Sequence, residues 1–468
     1  MVRVDVDVHG PTTALEPYWK RSFGSGHAAL GLRDDWQAAL ARGAEAYGLA
    51  GIRQHGIFDD DMGVVSLDAA GEPVYNFTNI DVLWDAHVRN GVAPLVELSF
   101  MPLALANCSS AARPSSLPAC VPNGWVRTGV PFPPRRWDDW RDLVAATAAH
   151  AVDRYGLEEV QTWRWEVWNE LWGVPGASET ALGNYTRTFY AASAEAIKGV
   201  DATLRVGGPA SAGAVVLPAF IEEVEALGLP LDFVSSHYYG NAREFYWNPD
   251  CFAKGLVAWA KSFVPDKYPF YVTEYNVAVG ENDVAHDTST AAAFLWRTIG
   301  ALDGVADVLS WWAFSDIFEE AGLPTTEFAG STVGLETISG IAKPAFRAFQ
   351  LLHEHAGPHR VAATVAVFLS NWDARLPPQG WSDAPAPTTA VTVAGVSGDL
   401  ELYRIDEEHA NPRARWLAMG APAVPSTSQL AELRDASRVA AEVVTLDAGA
   451  VALEMPANAA YLLVGAAA

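Results

Sequence analysis

Two short motifs carry acidic side chains in settings that suit proton transfer and nucleophilic attack: Trp168-Asn169-Glu170 and Thr273-Glu274-Tyr275-Asn276. Trp163, Trp165, Trp168 and Trp172 surround the first glutamate in sequence. An apolar surround disfavours a charged carboxylate and raises its pKa, which suits it to act as a general acid. A second carboxylate facing it would complete the pair that breaks a glycosidic bond. One attacks the anomeric carbon; the other protonates the leaving oxygen and then activates water. Carboxyl groups about 5–5.5 Å apart give retention of configuration, and a gap of about 6.5–9.5 Å gives inversion. Glu170 and Glu274 are far apart in the chain, so only a fold that gathers strand ends at one mouth can pair them.

Further polar residues stand at the ends of apolar runs: His55 with Asp59, His237 and Tyr239, Trp312 and Asp316, then Glu319 and Glu320. Sugar hydroxyls need both donors and acceptors, and convergence on one mouth favours a site over scattered structural roles. The 18 tryptophans fit either sugar stacking or a large core. No H-x-H or HExxH spacing involves His55 or His237, no Cys/His cluster is present, and Asp59-Asp60-Asp61-Met62-Gly63 lacks the 12-residue calcium-loop pattern. No GxGxxG or GxxxxGK[ST] follows a strand. Neither a metal nor any other cofactor is therefore expected.

The elements that must position these groups follow from periodicity. Apolar runs at 22–26, 51–57, 93–100, 163–170, 204–210, 232–239, 269–276 and 308–316 read as strands. Segments with helical spacing separate them, and the last, KPAFRAFQLLHEHA, has Pro344 near its first turn. Eight strand-then-helix units predict a (β/α)8 TIM barrel over 14–354, in which reactive groups stand at the C-terminal strand ends. A doubly wound open sheet is the alternative. After residue 355 short Val/Thr/Leu-rich runs between Pro, Gly and Asp predict an antiparallel C-terminal β-sandwich domain over 355–468. The N-terminal VRVDVDVHG alternates in the same way with no helix after it, so residues 1–13 are expected to join the sandwich.

Half of the residues are hydrophobic and 19% are charged, a globular composition. The net charge of −25 disfavours nucleic acid and membrane surfaces and leaves small neutral substrates open. No apolar run is long enough to cross a bilayer, and no signal peptide is visible, so the expected location is cytoplasmic, or secreted for a processed chain. Of Cys108, Cys120 and Cys251, the first two flank one loop; free thiols are the simpler expectation there, and a local disulfide is the alternative. Homo-oligomerisation is not legible.

The chain resembles the β-xylosidases of glycoside hydrolase family 39. The resemblance runs through RQHGIFDDDMGVV, LVELSFMPLALA, RYGLEEVQTWRWEVWNELW, YVTEYNVAVGENDVAHDTSTAAAF, SWWAFSDIFEEAGLPTTEFAGSTVGL and YRIDEEHANPRARWLAMGAPAVPS, nearly the whole chain. It implies a (β/α)8 barrel with a β-sandwich and retaining exo-hydrolysis of terminal β-1,4-linked D-xylose from xylo-oligosaccharides. Carried over by position, Glu170 is the acid/base and Glu274 the nucleophile, and Asn169 binds the sugar 2-hydroxyl. His55, His237, Tyr239, Trp312, Glu319 and Glu320 fall to substrate binding. The chain departs from the pattern at Leu171, where proline is usual, and at Val277-Ala278-Val279, where an aromatic often follows TEYN. The alternatives are an arabinosidase, glucosidase, galactosidase or α-L-iduronidase of the same family, or a sugar-binding protein that keeps the barrel. A uronate would need a cation, whereas this chain has His237-Tyr238-Tyr239-Gly240 and the acids Glu319 and Glu320.

Overall fold

A computed structural model describes residues 2–7, 14–109, 129–171, 173–178, 180–240, 251–278, 284–320, 322–328, 332–356, 364–372 and 388–467. Trp172, Cys120 and Val279 lie outside the described residues.

Eight parallel strands close into a barrel: β1 (Phe23–His27), β2 (Gly51–His55), β3 (Ala93–Leu98), β4 (Arg164–Val167), β5 (Val206–Ser211), β6 (Phe233–Tyr239), β7 (Phe270–Asn276) and β8 (Val308–Trp311). Each expected strand is present. The eighth stops earlier than its apolar run suggests. Beyond Trp311 the backbone still bonds to both neighbours, Trp312 N–H to Tyr275 of β7 and Phe314 N–H to Gly24 of β1, while Ala313 N–H turns out to Val333.

Helices between the strands are cut by local chemistry. The helix Asp34–Tyr47 opens with two aspartates in its first turn, where negative charge suits the helix dipole, and ends at Gly48, whose φ of 67° closes the last turn. The last barrel helix, Pro344–His355, begins with proline at its first position.

Beyond the barrel come β9 (Thr364–Asn371), β10 (Thr389–Ala394), β11 (Val396–Ile405), β12 (Ala441–Val444), β13 (Ala450–Met455) and β14 (Ala459–Ala467). One antiparallel sheet has the order β9-β14-β11-β12. In the other, β10 lies between β13 and the N-terminal strand Val2–Asp5, which pairs with it in parallel. Val391, Val393, Leu400, Leu402, Leu453, Met455 and Leu463 fill the space between the sheets. Two helices, Pro412–Ala418 and Thr427–Ala436, interrupt the run of strands. Ser426 and Gln429 form a capping box at the start of the second.

Barrel and sandwich share one core. Trp296, on the helix Ser289–Leu302, meets Phe368 edge-on at 4.9 Å, and Phe294 meets Trp372 at 5.3 Å. Cys108 is disulfide-bonded, which corrects the expectation of free thiols. Among the described residues no helix is long and apolar enough to cross a membrane.

Candidate active site

A period of two along β2 puts Arg53 and His55 on the same face, and the parallel registers of β3, β4, β6 and β7 bring carboxylates to meet them. Arg53 is fully buried. Its Nε reaches Glu166 Oε2 at 2.5 Å, its Nη1 reaches Glu274 Oε1 at 2.8 Å, and its Nη2 reaches Glu97 Oε2 at 2.7 Å and Asn169 Oδ1 at 2.9 Å. Burial alone would pull the guanidinium pKa down, but Glu166, Glu97 and Glu274 outweigh it and raise it. Removing this cation would leave several buried carboxylates uncompensated.

Glu274 therefore sits on β7 with one oxygen toward Arg53; its other oxygen accepts from Tyr239 Oη at 2.6 Å. Burial, and then the charge of Glu274, hold the Tyr239 phenol well above its ordinary pKa, so it keeps the proton it donates. In the β6–β7 register His237 stands beside Glu274.

Glu170 arrives by a different route. It lies beyond the end of β4, where Trp168, Glu170 and Leu171 adopt φ values of 69°, 49° and 57°. Left-handed backbone at three non-glycine residues is costly and persists only where the surroundings enforce it. The Glu170 N–H donates to Ala210 at 2.8 Å, which ties the turn to β5. Its side chain meets His237 Nδ1 at 2.9 Å, and the same nitrogen lies 3.5 Å from Glu274 Oε1. Burial pulls the His237 imidazole down to about 4, against the opposing charge of Glu274, so it is neutral near pH 7.

Glu170, His237 and Glu274 each offer one ligand atom, and these atoms lie within 4.8 Å of one another. Such a trio could close on a metal ion. The closeness equally suits a carboxylate pair acting on one bond, and Arg53 and Tyr239 already occupy Glu274.

Around this pair stand the other expected residues. Asn169 turns its Oδ1 to Arg53, which leaves its amide nitrogen as the donor for the mouth. His55 contacts Glu97 Oε2 at 2.7 Å through Nδ1, and its Nε2 lies 3.5 Å from Glu320 and 3.8 Å from Glu274. Burial brings His55 to about 3, again neutral. The Trp312 ring packs 4.7 Å from that imidazole. Glu319 is held below by His27, whose backbone N–H donates to it at 2.8 Å and whose Nδ1 also contacts it. Two glycines of β1 make room: a Cβ on Gly24 would lie 2.1 Å from the Trp312 ring, and one on Gly26 would lie 2.4 Å from Glu319 Oε2.

Asp59 and Asp316 do not join the pair. Asp59 is buried with its Oδ2 3.7 Å from His27 Nε2, and burial pushes it up to about 7. Asp316 is taken up by Lys343 at 2.8 Å, which also holds Asp287 at 2.7 Å. Sequence reasoning assigned no role to Arg53, Glu97, Glu166 or His27. Their one signal in the sequence is an ionisable residue within an otherwise apolar run, which the sequence alone does not place inward.

The comparisons with known proteins agree with this geometry. The family described as "Glycosyl hydrolases family 39" matches residues 2–451. A β-xylosidase of Caldicellulosiruptor saccharolyticus is 32% identical over 92% of this chain and 90% of its own length. A β-xylosidase of Geobacillus stearothermophilus is 30% identical, covering 92% and 88%. The crystal structure of a monomeric β-xylosidase from Caulobacter crescentus CB15 superposes with a TM-score of 0.85 at 29% identity, covering all of both chains. The chain belongs to glycosyl hydrolase family 39, and it is a glycoside hydrolase.

Proposed function

We propose that this enzyme is a retaining exo-β-xylosidase that removes terminal β-1,4-linked D-xylose from neutral xylo-oligosaccharides. The observation that carries the mechanism is the meeting of Glu170 and Glu274 over one histidine, with an oxygen of each within 4.8 Å of the other, a closeness that supports retention. Glu274 attacks the anomeric carbon while Glu170 protonates the departing oxygen, leaving a covalent glycosyl-enzyme. Glu170 then takes a proton from water, and that water displaces Glu274 with a second inversion. Neutral His237 steadies both carboxylates without adding charge. The Asn169 amide donates to the 2-hydroxyl, a contact that strengthens as the ring becomes oxocarbenium-like. His55, Trp312, Glu319 and Glu320 close one side of the mouth and bind the terminal sugar.

The names of the two curated relatives support xylose as that sugar. The chemistry of the pocket speaks against a uronate: the guanidinium at the site, Arg53, is already committed to carboxylates.

The test is hydrolysis of p-nitrophenyl β-D-xyloside beside the arabinoside, glucoside, galactoside and iduronide analogues, with two variants. Glu274→Ala should lose turnover and, with azide, yield a glycosyl azide of inverted configuration. Glu170→Ala should retain the first step on activated aryl glycosides and, with azide, give retention. Wild-type turnover by Glu274→Ala would remove the nucleophile assignment, and preference for another glycoside would keep the mechanism and change the substrate.

A further inference from the structure

On the outer wall of the barrel, a cleft of about 260 Å³ is lined by Arg42, Arg347, Arg434 and Arg438 together with Glu45 and Glu336. It shares no residue with the mouth. Three separate stretches build it: the helix Asp34–Tyr47, the start of the helix Pro344–His355 with its lead-in, and the end of the helix Thr427–Ala436.

Four arginines converging in a chain of net charge −25 are a local reversal of sign. Among the described residues, one of the four, Arg42, has a close carboxylate partner, and Glu45 is the other acid in the lining. Arg42 forms a fork with Glu336, at 2.7 and 3.1 Å, which occupies that carboxylate. Arg347 is held by neutral groups: the carbonyl and hydroxyl of Ser437 at 2.8 and 3.1 Å, and Gln350 at 2.7 Å. Arg434 donates to the Ser339 carbonyl at 3.1 Å. Arg438 has a loose 3.5 Å pairing with exposed Asp435. Burial, and then the nearby charge of Arg438, press the Arg347 guanidinium below its ordinary pKa. Cations held together against their own repulsion are the mark of a missing counter-anion.

We propose that this cleft binds a small organic oxyanion of monosaccharide size, its phosphate or carboxylate head on Arg347, Arg434 and Arg438. The guanidinium fork matches either head group bidentately. The volume exceeds what a bare phosphate fills, and Ala46, Ala342 and Phe346 provide an apolar wall for a sugar-sized body. Binding joins the barrel to the helical insertion of the second domain. A phosphorylated sugar and a uronic acid present the same chemistry, and the experiment separates them.

Isothermal titration of the whole chain with glucose 6-phosphate, glucuronate, inorganic phosphate and glucose tests the site, on wild type and on the double variant Arg434→Gln, Arg438→Gln. Both residues are exposed, so the variant's unfolding temperature should stay within a few degrees of wild type, which certifies the fold without reference to catalysis. We expect saturable one-to-one binding of at least one sugar anion, weakened by added salt, and at least tenfold weaker in the variant. Tighter binding of glucose 6-phosphate would identify a phosphate head, and of glucuronate a carboxylate head. No binding of either sugar anion, equal binding of glucose, or unchanged affinity in the folded variant would overturn the proposal. Binding of inorganic phosphate alone would overturn its sugar-sized part.

Discussion

Arg53 keeps Glu97, Glu166 and Glu274 in one small volume, and its flat fork does so in three directions at once. Lysine carries the same charge as a single point and cannot reproduce that fork. We expect Arg53→Lys to lower kcat by roughly a hundredfold, because a nucleophile displaced by about 1 Å loses about that much. KM should change far less, and steady-state kinetics on an aryl xyloside separate the two. His87 makes a different point. Both its ring nitrogens are buried without a hydrogen-bond partner, and burial holds it at about 3. Between pH about 3 and 6.5 the unfolded chain binds this proton and the folded one does not, so His87 lowers stability as the pH falls through that window. His87→Leu should therefore gain on the parent as the pH drops from 6.5, by up to roughly 1.4 kcal/mol per pH unit, read by urea unfolding at pH 7 and 5. Residues with legible positions are those that punctuate a strand end: Glu170 after two tryptophan-rich turns of alternation, and Glu274 within TEYN. Arg53, Glu97, Glu166 and His27 were not legible, because a charge inside a strand reads as solvent-facing until the barrel shows that it points inward.

At the scale of elements, the loop after β8 carries Trp312, Glu319 and Glu320, and its footing lies elsewhere. Lys343, fully buried, grips Asp316 and Asp287, and the Asp316 carboxylate also accepts from the Gly334 N–H at 2.8 Å. Breaking a buried ion cluster by removing its cation typically costs about 3–5 kcal/mol. Lys343→Met should be destabilised by that order in chemical denaturation. In the folded fraction it should raise KM for the xyloside more than it lowers kcat, since the loop and not the carboxylate pair loses its anchor. All eight barrel strands were legible as apolar runs and most sandwich strands as short Val/Thr/Leu-rich runs; the four-residue strand Ala441–Val444 was not, being too short to show a pattern. The helices Pro412–Ala418 and Thr427–Ala436 were not, because each is short and buries little: Trp416 and Leu433 are among their few core positions. Periodicity needs several buried turns before it stands out.

For the whole molecule, the shared core and the cysteines matter most. A bonded Cys108 in a chain of three cysteines leaves one thiol. Thiol titration of the denatured, unreduced protein should therefore find one reactive group, rising to three after reduction. One thiol fits an oxidising compartment, where such bonds persist, and three before reduction would fit the cytoplasmic expectation instead. The packing of Trp296 and Phe294 against Phe368 and Trp372 makes the sandwich part of the barrel's own hydrophobic interior.

The N-terminal strand has a consequence in time. Val2–Asp5 lies ahead of the whole barrel in the chain and its partner Val391–Ala394 lies behind it, so the partner is made only after every barrel strand. The barrel has all its strands before then and can close while the first strand waits. Until β10 is made, the N-terminal strand has no sheet to join and presents unpaired edges, the kind of surface that recruits other chains. Exposure of that unpaired strand, and not barrel closure, is therefore the step at which the nascent chain is open to aggregation.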